Sequence, residues 1–129
     1  MHRGFIKMAA ILGVLAVILG AFGAHGLKPL LTEKELATYE TAVRYQFYHV
    51  FALLITGILY REFVQKYLSL AGKLFAFGIL IFSGSLYLLT FMNLSGRPNF
   101  QWLGAITPLG GICFVAGWLF ILLAVIKKN

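Results

Sequence analysis

Four long segments of this 129-residue chain contain no formally charged residue: residues 8–27, 45–60, 74–96 and 98–126. A helix needs about 20 predominantly apolar residues to cross the hydrocarbon core of a membrane, and these segments are near that length or longer. Their residues do not alternate between polar and apolar, as those of membrane β-barrel strands do. Because backbone polar groups inside a membrane must bond internally, the segments are predicted to be transmembrane helices.

The composition excludes the other broad classes of protein. The chain is 60% hydrophobic and 12% charged, whereas a soluble domain carries about 25% charged residues. Disorder requires low hydrophobicity, which this chain does not have. We therefore predict an all-α, polytopic integral membrane protein with a single domain over residues 1–129. Its four transmembrane helices, at about 5–26, 33–62, 72–94 and 101–127, are expected to form an antiparallel bundle.

The first helix has an alternative interpretation. Arg3 and Lys7 precede an apolar stretch that ends in the small-residue segment 21–24, an order that resembles a secretory signal peptide. The stretch is long enough to span a membrane, so we expect it to be retained as a helix.

The second helix is predicted to begin well before its uncharged segment. Thr32 and Glu35 have the spacing of a capping box, in which each side chain bonds the backbone of the other. A helix from Glu33 to Glu62 would be about 45 Å long, which exceeds the hydrocarbon thickness. Its first turns are therefore expected in the interface or in water. There, Glu40 and Arg44 have the favourable spacing for an ion pair.

The distribution of Lys and Arg predicts how the helices are oriented, because cytoplasmic loops carry an excess of positive charge. Four spans place both termini and the second connection on one side of the membrane. That side has seven cationic residues: Arg3, Lys7, Arg61, Lys66, Lys73, Lys127 and Lys128. The other side has four: Lys28, Lys34, Arg44 and Arg97. Both termini are therefore expected to face the cytoplasm.

The net charge of +7 is carried by residues at the ends of apolar segments. Cations in those positions meet anionic lipid headgroups. Membrane lipids are therefore the expected partners, and nucleic acid is not. The single cysteine, Cys113, lies inside an apolar segment, which excludes a disulfide framework and indicates a buried packing residue.

Small residues recur at helical spacing in three of the four helices. The first helix has Ala9, Gly13, Ala16, Gly20 and Ala24, the third has Gly78 and residues 83–85, and the fourth has Gly104, Gly110, Gly111, Ala116 and Gly117. In a membrane such residues let helix backbones approach closely. Packing within the bundle is the simpler interpretation, and a homo-oligomer built on one of these faces is the alternative.

The second helix carries the densest group of polar residues near the membrane. Two adjacent stripes run along it at four-residue spacing: Thr41, Tyr45 and His49, and Glu40, Arg44 and Tyr48. Ionisable groups at this depth are costly unless paired or near water, so the stripes are expected to face the bundle interior or a cavity. The functional interpretation is a site for a proton, an ion or a lipid headgroup. The alternative is a hydrogen-bond network that fixes how the helix docks.

His25 ends the first helix on the side of the membrane where the second helix begins. A metal site formed by His25, His49 and Glu40 would match no known ligand spacing, so neither a metal nor a cofactor is expected. Imidazoles titrate near neutral pH, which leaves proton handling as an alternative.

The segment 107–111 is predicted to interrupt the fourth helix, since Pro108 leaves the Gly104 carbonyl without its helical partner. Broken helices line transport sites, and they also occur as packing kinks. Thr107 and Pro108 therefore complete the candidate binding site. The sequence contains no nucleophile–base pair, paired carboxylates or phosphate-binding loop, so an enzyme is not expected.

Four blocks of the chain, residues 20–27, 39–49, 82–87 and 106–111, resemble the signature of a small membrane family called domain of unknown function 423. That family is similar to the eukaryotic transmembrane protein 256 group. The resemblance covers nearly the whole chain and implies a four-helix protein of the bacterial plasma membrane. It implies no catalytic role.

Two hypotheses for the function follow. In the first, the protein is a small transporter or ion- or proton-conducting protein that uses the candidate site. In the second, it is a non-catalytic structural or accessory subunit, or a lipid-binding module, whose polar residues hold the bundle together. A water-filled cavity beside His49 would favour the first hypothesis. A dry bundle with every polar group bonded would favour the second.

Overall fold

The computed structural model describes residues 1–96 and 101–128. Its four helices are α1 (Arg3–Phe22), α2 (Glu33–Leu59), α3 (Gln65–Leu94) and α4 (Leu103–Ile126), and a π-helical turn at Gly23–Leu27 extends α1. Each is long and apolar enough to cross a membrane, which confirms the predicted four-span, all-α fold. Arg97, which the charge count includes, lies outside the described residues.

The first two helices begin at side chains that cap their free N–H groups. The Nδ1 atom of His2 accepts from the backbone N–H of Phe5 at 3.1 Å. At the start of α2 the Thr32 hydroxyl accepts from the Glu35 N–H at 3.2 Å, and the Glu35 carboxylate accepts from the Thr32 N–H at 3.3 Å. The predicted capping box is therefore confirmed.

The third helix begins at Gln65, earlier than the predicted position of about 72. The prediction followed the edge of the uncharged segment, but a helix continues through Lys66 and Lys73 because lysine is a good helix former. The boundary of the hydrocarbon and the boundary of a helix are thus different positions.

The helices pack in chain order, with the closest association between α3 and α4 and lesser ones between α1 and α2 and between α2 and α3. Three glycines of the α3–α4 interface each face a phenylalanine of the other helix: Gly78 faces Phe114, Gly110 faces Phe82, and Gly117 faces Phe75. A Cβ atom added at any of them would come within about 2.6 Å of that residue. Small residues therefore permit the close packing, as the sequence predicts.

The core lies where α2 and α3 are covered by the outer helices. Its largest members are Phe5, Leu53, Phe75, Ile79 and Phe114. Most apolar side chains of α1 and α4 instead point outwards and are exposed on the bundle surface. In a membrane protein that apolar surface contacts lipid tails.

Candidate functional site

The buried polar residues of α2 lie on one face of the helix. Gln46, His49 and Thr56 are buried there, and Tyr39 is buried two turns before Gln46. Residues three and four positions apart share a side of a helix, so this spacing forms a continuous stripe. The stripe faces the other three helices, and its side chains bond to groups of each of them.

Gln46 connects three helices. Its Nε2 atom donates to the backbone carbonyl of Leu12 in α1 at 2.8 Å. Its Oε1 atom accepts from the hydroxyl of Tyr87 in α3 at 2.6 Å. Both ends of a buried amide are thereby bonded, which removes the cost of leaving a polar group unpaired in an apolar interior.

Tyr39 and Ser83 make two further bonds between helices. The Tyr39 hydroxyl donates to the carbonyl of Leu19 in α1, and its ring occupies the space above Gly23. The hydroxyl of Ser83 in α3 donates to the carbonyl of Ala42 in α2 at 2.7 Å. These bonds join side chains to backbone, so they fix the positions of whole helices.

The imidazole of His49 uses both of its nitrogens within the bundle. Nδ1 lies 2.7 Å from the carbonyl of Tyr45, and Nε2 accepts from the indole N–H of Trp118 in α4 at 3.2 Å. A carbonyl only accepts, so this network assigns the proton to Nδ1 and makes the ring neutral. The ring also stacks on Phe114, with centroids 3.5 Å apart and planes 4° apart.

One side of His49 faces an open groove between α2 and α4, which we call the α2–α4 groove. Its volume is about 770 Å³. Its lining consists of Tyr45, Tyr48, His49, Phe82, Pro108, Gly111, Ile112, Phe114, Val115 and Trp118. Four predicted site residues thus share one groove, but their surroundings are aromatic and aliphatic.

The fourth helix is continuous through Pro108, so the predicted interruption of this helix is wrong. Pro108 lies in the second turn, where losing one N–H bond does not end a helix that is held against α3. Thr107 faces α3, and its hydroxyl lies 2.7 Å from that of Ser85. The pair is a fixed contact between helices, away from His49.

Glu40, Arg44 and Tyr48 are exposed, so of the two predicted settings, the bundle interior or a cavity, this stripe does not have the first. Tyr48 lines the α2–α4 groove. Glu40 and Arg44 line a small surface groove beside Gly20 and Gly23, but they form no ion pair within 4 Å in the part of the chain described. Both charges lie in the early turns of α2, where headgroups and water solvate them and burial is unnecessary.

His25 is also exposed, and its Nδ1 atom lies 2.9 Å from the carbonyl of Ala21. It makes no contact with His49, whose partners belong to α2, α3 and α4. Within residues 1–96 and 101–128, no three side chains of His, Cys, Asp or Glu come together as metal ligands.

A second groove, which we call the α1–α3 groove, has a volume of about 490 Å³. The floor of this groove includes the polar side chains of Gln46, Ser83 and Tyr87, and Lys73 is the one charged residue of the lining among the residues described. The remaining lining residues are Phe5, Met8, Leu12, Leu15, Leu19, Ala76, Phe77, Ile79, Leu80 and Gly84. The groove opens sideways, towards the lipid.

The buried polar side chains are bonded within their own helix or to a neighbouring helix. Across the described residues, every buried side-chain nitrogen and oxygen has a hydrogen-bond partner. Among the described residues the network therefore presents no unpaired buried polar atom to a substrate or an ion.

Sequence reasoning missed several members of this network, namely Tyr39, Ser83, Ser85, Tyr87 and Trp118. One signal was present: Tyr39, Gln46 and His49 have helical spacing. The prediction instead emphasised the charged stripe, which lies about 100° around the helix from these residues. Charge is a stronger signal in sequence than a neutral amide or phenol.

The chain matches the family described as "Protein of unknown function (DUF423)" over residues 19–111. It is 42% identical over 123 residues to a UPF0382 membrane protein of Staphylococcus epidermidis, a match that covers 95% of each chain. It is 42% identical over 124 residues to the UPF0382 membrane protein YwdK of Bacillus subtilis, covering 95% of this chain and 96% of that protein. No solved structure matches it.

The extent of these matches agrees with the helical bundle and its exposed apolar surface. The named relatives are bacterial membrane proteins similar to this chain over nearly its whole length. This chain therefore belongs to the DUF423 family and is an integral membrane protein.

Proposed function

We propose that this protein acts by binding within the membrane, as a non-catalytic accessory subunit or lipid-binding module, and that it neither conducts ions nor catalyses a reaction. The observation that supports this is the completeness of the polar network: each buried polar side-chain atom among the described residues already has a partner. A conducting path needs groups that exchange partners with water or an ion.

His49 supports the same proposal. A proton relay through this imidazole would require Nε2 to bind and release a proton, but Nε2 already accepts from Trp118. A proton on Nε2 would turn it into a second donor facing the indole N–H. The α2–α4 groove beside it is lined by aromatic and aliphatic side chains, which do not stabilise a file of water.

The proposal extends to the orientation of the protein. We infer that both termini face the cytoplasm of the bacterial plasma membrane, because the flank that contains them has the larger number of cations. Cations at helix ends suit anionic lipid headgroups, so lipid is the proposed partner and nucleic acid is not. A homo-oligomer, if formed, would use the small-residue face at Gly104, where an added Cβ atom would meet no atom within 4 Å.

The experiment that tests the central proposal is a proton-flux assay in sealed vesicles. Purified protein is reconstituted with a pH-sensitive dye inside, and a potassium gradient with valinomycin drives proton entry. We expect the rate of proton entry to equal that of protein-free vesicles. A proton channel added at the end verifies that the vesicles hold a gradient and that the dye responds.

The His49→Ala variant makes the result specific. We expect it to give the same rate as the parent protein, since His49 has a packing role in this proposal. A proton flux above that of protein-free vesicles, and its loss in His49→Ala, would instead establish a conducting protein.

A further inference from the structure

The α1–α3 groove lies between two aromatic contacts that join neighbouring helices near its ends. The ring of Phe5 packs against Gly72 at one end, and the ring centroids of Tyr39 and Tyr87 lie 5.5 Å apart at the other. The two walls are formed by α1 and α3, and Gln46 of α2 lies on the floor. Between these contacts, α1 and α3 leave an open groove lined mostly by apolar side chains.

The dimensions of this groove match a single hydrocarbon chain. The lining of α1 runs from Phe5 to Leu19, a length of about 21 Å at the rise of an α-helix. One leaflet contributes about 15 Å of hydrocarbon to a bilayer, so an acyl chain fits along the groove.

The chemistry of the walls also suits an acyl chain. Most lining side chains are aliphatic or aromatic, and the polar groups of Gln46 and Ser83 on the floor are bonded to backbone carbonyls. They require nothing from a ligand. Gly84 faces the groove and has no atom within 4 Å of its Cβ position, so its side of the channel is unfilled by protein.

The positive charge at one end of the groove indicates that the lipid headgroup is anionic. Lys73 is exposed and is the charged residue of the lining. Because Phe5 packs against Gly72, Lys7 of α1 lies at nearly the same depth as Lys73. A lysine at the edge of the hydrocarbon extends its ammonium group to the level of the lipid phosphates.

We propose that the α1–α3 groove binds one acyl chain of an anionic phospholipid whose phosphate pairs with Lys73. This inference rests on the proposed function, in which the protein acts by binding. It names the class of ligand, the groove that holds the chain and the residue that holds the headgroup.

The test uses the full-length protein, purified in detergent and depleted of lipid, with native mass spectrometry as the readout. Phosphatidylglycerol and phosphatidylcholine with identical acyl chains are the two probes. We expect one phosphatidylglycerol to be retained in preference to phosphatidylcholine. Lys73→Gln should lower the affinity for phosphatidylglycerol about fivefold and remove the preference between the two lipids.

Gly84→Leu places a side chain in the channel and should abolish retention of both lipids. Gly111→Leu is the matched control, since Gly111 is equally open but lies in the α2–α4 groove. Gly111→Leu should bind lipid like the parent protein. Circular dichroism and thermal melting verify that each variant is folded.

A second measurement needs no variant. Phosphatidylglycerol with a photoactivatable acyl chain is crosslinked to the parent protein, and the modified peptides are mapped. Labels within residues 8–19 and 76–87 are expected. Three results would overturn the inference: crosslinks on α4 alone, lipid retention by Gly84→Leu equal to that of the parent protein, or equal affinity of the parent protein for the two lipids. A dimer that Gly84→Leu dissociates would also overturn it. If neither lipid is retained and the vesicles show no proton flux, this binding site is refuted but the proposed function is not. Proton flux, by contrast, refutes the proposed function.

Discussion

Gly110 of α4 lies directly against the backbone of Phe82 of α3, so that a Cβ atom at Gly110 would be 2.5 Å from the Phe82 backbone nitrogen. Backbone atoms cannot rotate away as a side chain can, so Gly110→Ala must move the two helices apart. We expect this variant to lose about 1–3 kcal/mol of the free energy of unfolding. Unfolding by SDS titration in mixed micelles measures it.

The adjacent residue provides the control for this prediction. Gly111 has no atom within 4 Å of its Cβ position, so Gly111→Ala meets no neighbour. Alanine favours a helix over glycine by about 0.5–1 kcal/mol, and Gly111→Ala should be as stable as the parent or slightly more so. Equal destabilisation by both substitutions would contradict the close approach of α3 and α4 at Gly110.

The bond between Gln46 and Tyr87 is expected to contribute measurable stability. A double-mutant cycle with Gln46→Leu and Tyr87→Phe should give a coupling energy of about 0.6 kcal/mol, and at most about 1.7 kcal/mol, as for other hydrogen bonds between transmembrane helices. Gln46→Leu alone should cost more, because it also leaves the Leu12 carbonyl without this partner.

Arg44→Ala should change the free energy of unfolding by less than about 0.5 kcal/mol, since Arg44 is exposed and has no ion pair to lose. The same SDS titration that follows Gln46→Leu measures this variant. If Arg44→Ala lost as much free energy of unfolding as Gln46→Leu, the result would show that Glu40 and Arg44 form a stabilising ion pair.

The hydrogen bonds of His49 predict its tautomer. Nitrogen-15 NMR of protein labelled at histidine should show a neutral ring protonated at Nδ1, because Nε2 is the acceptor of the Trp118 indole. Trp118→Phe removes that donor and should shift the Nε2 resonance. A spectrum with the proton on Nε2 would refute the network at His49.

The orientation of the chain is open to a direct test. If both termini are cytoplasmic, a fluorescent protein fused to either end should fluoresce, and a periplasmic phosphatase reporter fused to either end should be inactive. Fusions at Lys28, between α1 and α2, should give the reverse pattern. Active phosphatase at either terminus would overturn the inference drawn from the cationic flank.

The extent of the fold was predictable from local chemistry. Uncharged segments of sufficient length form helices in lipid, because their backbone polar groups find no water there and must bond to one another. The capping box at Thr32 and Glu35 was equally predictable, since all of its atoms lie within one turn of chain. The helix boundary at Gln65 was not, because no change in helix propensity accompanies the edge of the hydrocarbon.

The arrangement of the candidate site was less predictable. Glu40 and Arg44 were predicted to belong to the site because they are charges near a membrane, but both lie early in α2 and are exposed. Gln46 and Tyr87 are 41 residues apart, and no local pattern indicates that their side chains bond. The rotation of α2 about its axis in the bundle decides both that Glu40 and Arg44 are exposed and that Gln46 reaches Tyr87.

The sequence by itself determined that lipid surrounds this protein, how many helices cross it and where the second helix begins, because these properties depend on hydropathy and on contacts within one turn. Only the tertiary structure decided which face of α2 is buried, that Trp118 bonds His49, and that α1 and α3 leave a groove between them. These features depend on the rotation and separation of whole helices, and those follow from the summed packing of side chains far apart in the chain.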